Sequence, residues 1–301
     1  MAEIKNVVII GAGGNLGPSI LQAFLDSSSF HITVLSREGS ESTFPSGVSV
    51  LHADYSSHDS LKSAFKGQDA VLSLVGSMAL ADQQKLIDAA IAAGVKRFLP
   101  SEYGSDTANP KVLELVPVFQ AKVGTVKYLQ SKEGEISWTS VITGPFFDWG
   151  LKVGFLGLNA ASKTATLIDE GKAPFVATNL RQIGLALIKV LEKPELTKNT
   201  YVYVKSFETT QQDVLAAAEK ITGAKWTVNK ITSKELLERG SAKLKNSDFS
   251  GVPDLIKGAV FNEAGYGKNP VGDWNEKLGL EKEDFEASIK AALNGKLYGE
   301  K

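Results

Sequence analysis

The 301-residue chain has no cysteine, two methionines and three histidines. Without cysteine there are no disulfides, thiolate nucleophiles or cysteine-ligated metals. His31, His52 and His58 lie around early strand candidates without a metal-ligand spacing such as H-E-x-x-H, so no metal is expected. No stretch approaches the roughly 20 apolar residues that span a bilayer. The start of the chain lacks the pattern of a secretory leader, since residues 4–10 already have the form of a strand. An excess of one charge sign is also missing: 33 Lys plus Arg stand against 34 Asp plus Glu, which argues against a nucleic-acid surface. The absence of a G-x-S-x-G elbow and of a Gly-Lys-Ser/Thr phosphate loop removes the serine-hydrolase and ATPase readings. The expectation is a cytoplasmic protein with no membrane or nucleic-acid partner, homodimer and monomer both being open.

What the chain does have is Val7-Val8-Ile9-Ile10 running into Gly11-Ala12-Gly13-Gly14-Asn15-Leu16-Gly17, followed at once by a helical pattern. A buried strand, a bend without side chains and a helix N-terminus in that order can hold a pyrophosphate. The spacing is G-x-x-G-x-x-G, with Leu16 where a strict G-x-G-x-x-G would place its third glycine. Leu16, Ile20 and Phe24 repeat at four-residue spacing, and Pro18 is tolerable in a first turn whose amides have no helical partner.

Strand candidates at 4–10, 31–35, 48–52, 70–74, 97–100 and 138–143 alternate with helical patterns at 15–26, 60–65, 79–93 and 117–131. This predicts an α/β fold, a Rossmann-like parallel sheet flanked by helices. The rhythm changes after Gly144-Pro145, which predicts an NADP-binding domain over 1–150. A smaller mixed α/β substrate region would fill 151–301, with the chain crossing between them. In that second part, strands are expected at 164–167, 174–177 and 201–204, and helices at 180–191, 210–221, 233–239 and 282–293. Thr210 is placed as a cap, with Asp213 in the first turn.

The second strand ends in Ser36-Arg37-Glu38 rather than in the acidic residue that engages the ribose of NAD. Arg37, helped by Ser40, suits the extra phosphate of NADP and favours that nucleotide, against the repulsion that Glu38 and Glu41 could offer and the alternative of a solvent-facing salt-bridge arginine. Asp54 and Tyr55 follow the third strand and could line the adenine, although Asp54 also suits an ordinary loop. Val75 and Gly76 close the fourth strand, where open sheets present loops to ligands.

The chain resembles the NmrA-like branch of the short-chain dehydrogenase group, nearest to the isoflavone reductase and phenylcoumaran benzylic ether reductase relatives. The resemblance rests on the glycine turn, Arg37, the run from Val95 to Gly104 that contains Pro100-Ser101-Glu102-Tyr103, Phe119-Gln120-Ala121-Lys122, and Gly144-Pro145-Phe146-Phe147. It implies NADPH-dependent reduction of a small aromatic secondary metabolite (isoflavonoid-, phenylpropanoid- or quinone-like), and it puts the catalytic lysine at Lys122. Val118 replaces the tyrosine of the usual Tyr-x-x-x-Lys pair, which argues against simple alcohol oxidation. By the same likeness, Gly11, Gly13, Gly14, Asn15, Leu16, Gly17, Val75, Gly76, Lys122, Pro145, Phe146 and Phe147 are expected at the cofactor. Tyr103, Phe147, Trp149 and Phe155 are expected at the substrate, although Phe146, Phe147 and Trp149 also suit an aromatic seal at the junction between the two parts. Relatives often carry phenylalanine at position 103, so the Tyr103 hydroxyl either binds substrate or belongs to a packing aromatic. Glu102 reads as a brace or an orienting group rather than the proton donor. NmrA-like regulators supply the alternative function, a non-enzymatic NADP sensor that binds a protein partner.

Overall fold

The computed structural model describes residues 3–268, 272 and 274–300. In chain order the first half comprises β1 (Asn6–Ile10), α1 (Gly17–Ser27), β2 (His31–Arg37), β3 (Ser49–Ala53), α2 (His58–Phe65), β4 (Ala70–Ser73) and α3 (Gln83–Ala93). It continues with β5 (Arg97–Leu99), α4 (Pro110–Leu115), α5 (Gln120–Ser131), β6 (Ser137–Ile142) and α6 (Phe147–Lys152). The second half holds β7 (Leu158–Asn159), β8 (Thr164–Ile168), β9 (Phe175–Ala177), α7 (Leu180–Glu192), β10 (Thr200–Tyr203) and β11 (Phe207–Thr209). Last come α8 (Gln211–Thr222), β12 (Thr227–Ile231), α9 (Ser233–Lys245), α10 (Val252–Val260), α11 (Trp274–Leu278) and α12 (Phe285–Leu293).

Seven strands form one parallel sheet in the order β10-β6-β5-β4-β1-β2-β3. The uninterrupted apolar run of β1 follows from burial on both faces. Val7 and Ile9 enter the core shared with α1 and α7, while Val8 and Ile10 enter the one shared with α2, α3 and α5. The chain leaves β1 towards β2 and β3, then returns to place β4 on the other side of β1. That reversal opens a crevice beyond the carboxyl ends of β1 and β4. Strand β10, from the second half, completes the sheet beside β6, and α7 packs on α1.

The remaining elements build a separate core around β8, α8 and α12, with β12-β8-β7 as a small mixed sheet and β11-β9 as an antiparallel pair. A further cluster joins α4 to α10 through Val112, Val116, Phe119, Leu255 and Ala259. Two of the expected helices are preceded by 3-10 turns where their apolar patterns open. Residues 77–82 and 117–119 form 3-10 turns ahead of α3 and α5, the second opening on Pro117, which has no amide to donate. Helix α4 has a signal that the apolar pattern hides: the Asn109 side chain caps the Lys111 amide at 3.0 Å, and Pro110 opens the first turn. Helix α9 runs past Gly240 to Lys245, because that glycine faces α10 closely rather than ending the helix.

Candidate active site

Because the sheet is parallel, the loops after β1, β2, β4, β5 and β6 all emerge at one edge. The first is a tight turn held by the Gly14 amide on Gly11 O at 3.0 Å and the Gly17 amide on Gly14 O at 3.1 Å. Gly11 has φ +79°, and a Cβ on Gly17 would lie 1.9 Å from Ala12 O, so neither position accepts a side chain. Gly13, Gly14 and Asn15 are exposed, whereas the Leu16 side chain is buried and leaves only its backbone to a ligand. The amides of Gly13, Asn15 and Leu16 donate to no acceptor among the described residues. Exposed glycines, unsatisfied amides and the N-terminus of an eleven-residue helix fit a pyrophosphate.

Arg37 ends β2, exposed, and its carbonyl accepts the Ser40 amide at 3.1 Å. Ser40 Oγ meets Ser42 Oγ at 3.3 Å, and Ser42 Oγ lies 3.1 Å from where a Cβ on Gly13 would be. Arg37 and Ser40 are therefore brought beside the glycine turn, together with Ser42, which the sequence reading passed over. The adenine-side pair is less available. Asp54 Oδ1 accepts the Ser56 amide at 2.8 Å and its hydroxyl at 2.7 Å, and Tyr55 donates to Leu35 O at 2.8 Å. Val75 O accepts from Ser101 Oγ at 2.7 Å, tying the loops after β4 and β5 together. A Cβ on Gly76 would touch nothing within 4 Å, so the protein alone does not require glycine there.

The loop after β5 carries Glu102 and Tyr103. Lys122 of α5 reaches it by donating from Nζ to Glu102 O at 2.5 Å, and its ammonium stands 5.0 Å from the centre of the Phe119 ring. Burial pulls the lysine below its ordinary value and pushes the Glu102 carboxyl up, while the attraction between them opposes both shifts. Thr107 donates to Glu102 Oε2 at 2.5 Å, and Tyr203 of β10 donates to Asp106 Oδ1 at 3.2 Å. The Tyr103 ring belongs to the main core, and its enclosed hydroxyl has no partner among the described residues. Tyr203 carried no sequence signal, because only the sheet order brings β10 near this loop, and Thr107, five residues along the same loop from Glu102, was passed over.

After β6, Phe146, Trp149 and Phe155 line up with ring centres 6.2 and 6.3 Å apart. Phe147 points the other way: its side chain is fully buried against Phe207 and Phe285, at 4.7 and 5.6 Å, leaving only its backbone to a ligand. Pro145 O accepts the Thr178 amide at 3.0 Å. Asp148 receives the amides of Leu180 at 3.1 Å and Trp149 at 2.9 Å, and burial raises its carboxyl to about 6. A cavity of about 220 Å³ separates Gly13, Gly14 and Asn15 from Trp149, with Leu297 and Glu300 among its walls. Lys122 is not in its lining, so it borders the glycine turn rather than the lysine. No cluster of potential metal ligands and no helix long and apolar enough to cross a membrane occurs among the described residues.

A parallel sheet with a glycine turn at its topological switch defines a Rossmann-like α/β protein. The chain belongs to the NmrA-like family, whose model matches residues 3–252. It is 37% identical to the oxidoreductase aprR of Aspergillus flavus over 96% of this chain and 99% of that protein. It is 31% identical to isoflavone reductase homolog P3 of Arabidopsis thaliana over 78% and 81% of the two chains. Its fold matches leucoanthocyanidin reductase of Vitis vinifera, solved as a binary complex with NADPH. That match has a TM-score of 0.79 at 20% identity, covering 96% of this chain and 99% of that one.

Proposed function

We propose that this protein is an NADPH-dependent reductase of a small aromatic metabolite, isoflavonoid-, phenylpropanoid- or quinone-like, with Lys122 as its catalytic residue. One observation carries the reading: an enclosed lysine ammonium stands at the same sheet edge as a glycine turn with unsatisfied amides. The turn amides hold the pyrophosphate, and Arg37 with Ser40 and Ser42 takes the 2′-phosphate of the adenosine. When bound, NADPH supplies a hydride to an electrophilic substrate carbon, such as the end of a conjugated enone. Lys122 stabilises or protonates the oxygen on which charge develops, in surroundings where burial strengthens that interaction. Phe146, Trp149 and Phe155 offer aromatic surface to a flat substrate and exclude water from it.

The test is NADPH consumption against a panel of aromatic enones, benzylic ethers and quinones, followed by single-turnover hydride transfer. Lys122→Met and Lys122→Ala are expected to stay folded and lose about 100-fold or more in the transfer rate. Methionine keeps the aliphatic packing while removing the charge. Near-normal transfer in both variants at saturating NADPH would remove Lys122 from the chemistry, and a panel without turnover would reject the substrate class.

A further inference from the structure

Leu297 and Glu300 help to wall the cavity that faces the glycine turn, although the turn lies at the other end of the sequence. The Leu297 side chain is buried in the main core, and the residues after it lie along α1. Tyr298 O accepts from Ser19 Oγ at 2.5 Å, and the Tyr298 hydroxyl donates to Asp26. Gly299 has φ +81°, and a Cβ there would stand 2.6 Å from Pro18 O, so this seat on α1 requires glycine. On the opposite flank, Arg181 of α7 stands 5.6 Å from the centre of the Tyr298 ring, and Lys152 of α6 pairs with Glu300 Oε2 at 2.5 Å. Residues 297–300 therefore join the helix that follows the glycine turn to the helix that carries Trp149.

A carboxylate beside an anion site weakens that site unless a cation answers it. Glu300 shares its cavity with Gly13 and Asn15, whose amides donate to no acceptor among the described residues. Lys152 answers the carboxylate and, in the same contact, fastens α6 to the segment. The two side chains are 33% and 40% exposed, and ion pairs so open to water are weak. A segment seated firmly on α1 and held to α6 by a weak bond can part from α6 without leaving α1. We propose that residues 297–300 are a strap over the nucleotide's pyrophosphate, and that opening of the Lys152–Glu300 pair sets how fast NADPH enters and leaves. The inference rests on the reading that the turn amides hold the pyrophosphate.

The experiment needs no substrate. NADPH fluorescence is followed by stopped flow in the full-length protein, and release is read by displacement with excess NADP. Lys152→Met and Glu300→Gln should each quicken release about threefold, the scale of a lost half-exposed ion pair. The double variant should be no faster than either single one, and the exchanged pair, Lys152→Glu with Glu300→Lys, should recover most of the wild-type rate. Gly299→Ala, which lifts the strap from α1, should quicken release about tenfold or more. Faster release in one ion-pair variant and slower release in the other would mean that the two charges act separately on the phosphates, and would overturn the strap. Unchanged release in both would overturn it as well, and these two variants decide the matter should Gly299→Ala not fold. Normal NADPH binding with unmoved release rates sinks the strap alone, whereas a wild-type protein that binds no NADPH sinks the nucleotide reading beneath it.

Discussion

Asp148 offers a pH-dependent measurement whose size follows from its position. Its carboxyl lies between the first turn of α6 and the N-terminus of α7, accepting the Leu180 amide with both oxygens at 3.1 and 3.3 Å. Those amides favour the anion, but burial dominates and Glu283 adds repulsion, so the group rises from 3.8 to about 6. A carboxyl that binds its proton more tightly when folded stabilises the fold most at low pH and loses that contribution as pH rises through the folded value. A shift of about two units corresponds to roughly 3 kcal/mol, of which about 1.5 kcal/mol should disappear between about pH 5 and about pH 8. Asp148→Asn keeps an oxygen for the Leu180 amide and removes the titration. Urea unfolding of both proteins across that range should show the variant gaining on the wild type by this amount as pH rises. A difference independent of pH would refute the reasoning. A variant that loses ground at high pH would show that the helix N-terminus outweighs burial.

Arg37→Ala is expected to weaken NADPH about tenfold or more, matching a lost charged hydrogen bond of roughly 1.5–3 kcal/mol, with little effect on NADH. Isothermal titration of both nucleotides checks this, and equal weakening would reject Arg37 as the phosphate reader. Gly17→Ala forces a Cβ to within 1.9 Å of Ala12 O, so it should unfold at lower urea and lose NADPH binding. Gly76→Ala meets no protein atom within 4 Å and should leave stability within about 0.5 kcal/mol, so any loss of nucleotide affinity there reports direct crowding of the cofactor. Thr210→Ala breaks a reciprocal cap with Asp213 and should cost about 1 kcal/mol by urea unfolding.

Much of this protein is local enough to be legible in its sequence. Short apolar runs place most of the early strands because both their faces are buried, and period-3.6 patterns place the helices because each needs one buried face. The glycine turn is legible because it is closed locally, with Gly17 against the carbonyl of Ala12 and Gly11 at φ +79°. Thr210 and Asp213 form their cap within four residues, so the helix start shows in the residue types alone. What depends on contacts between distant segments could be settled only by the tertiary structure. Strand β10 has an ordinary apolar pattern, and nothing local places it beside β6, yet this pairing brings Tyr201 and Tyr203 to the loop of Glu102. Phe146 and Phe147 are adjacent and chemically identical. Only the packing of α6 against Phe207 and Phe285 leaves one half-buried beside Trp149 and sinks the other in the core. Lys122 looks like a surface residue of a weakly amphipathic helix. Its burial, and with it the hydrogen bond to the backbone carbonyl of Glu102 twenty residues away in sequence, arises when α5 closes over the end of β5.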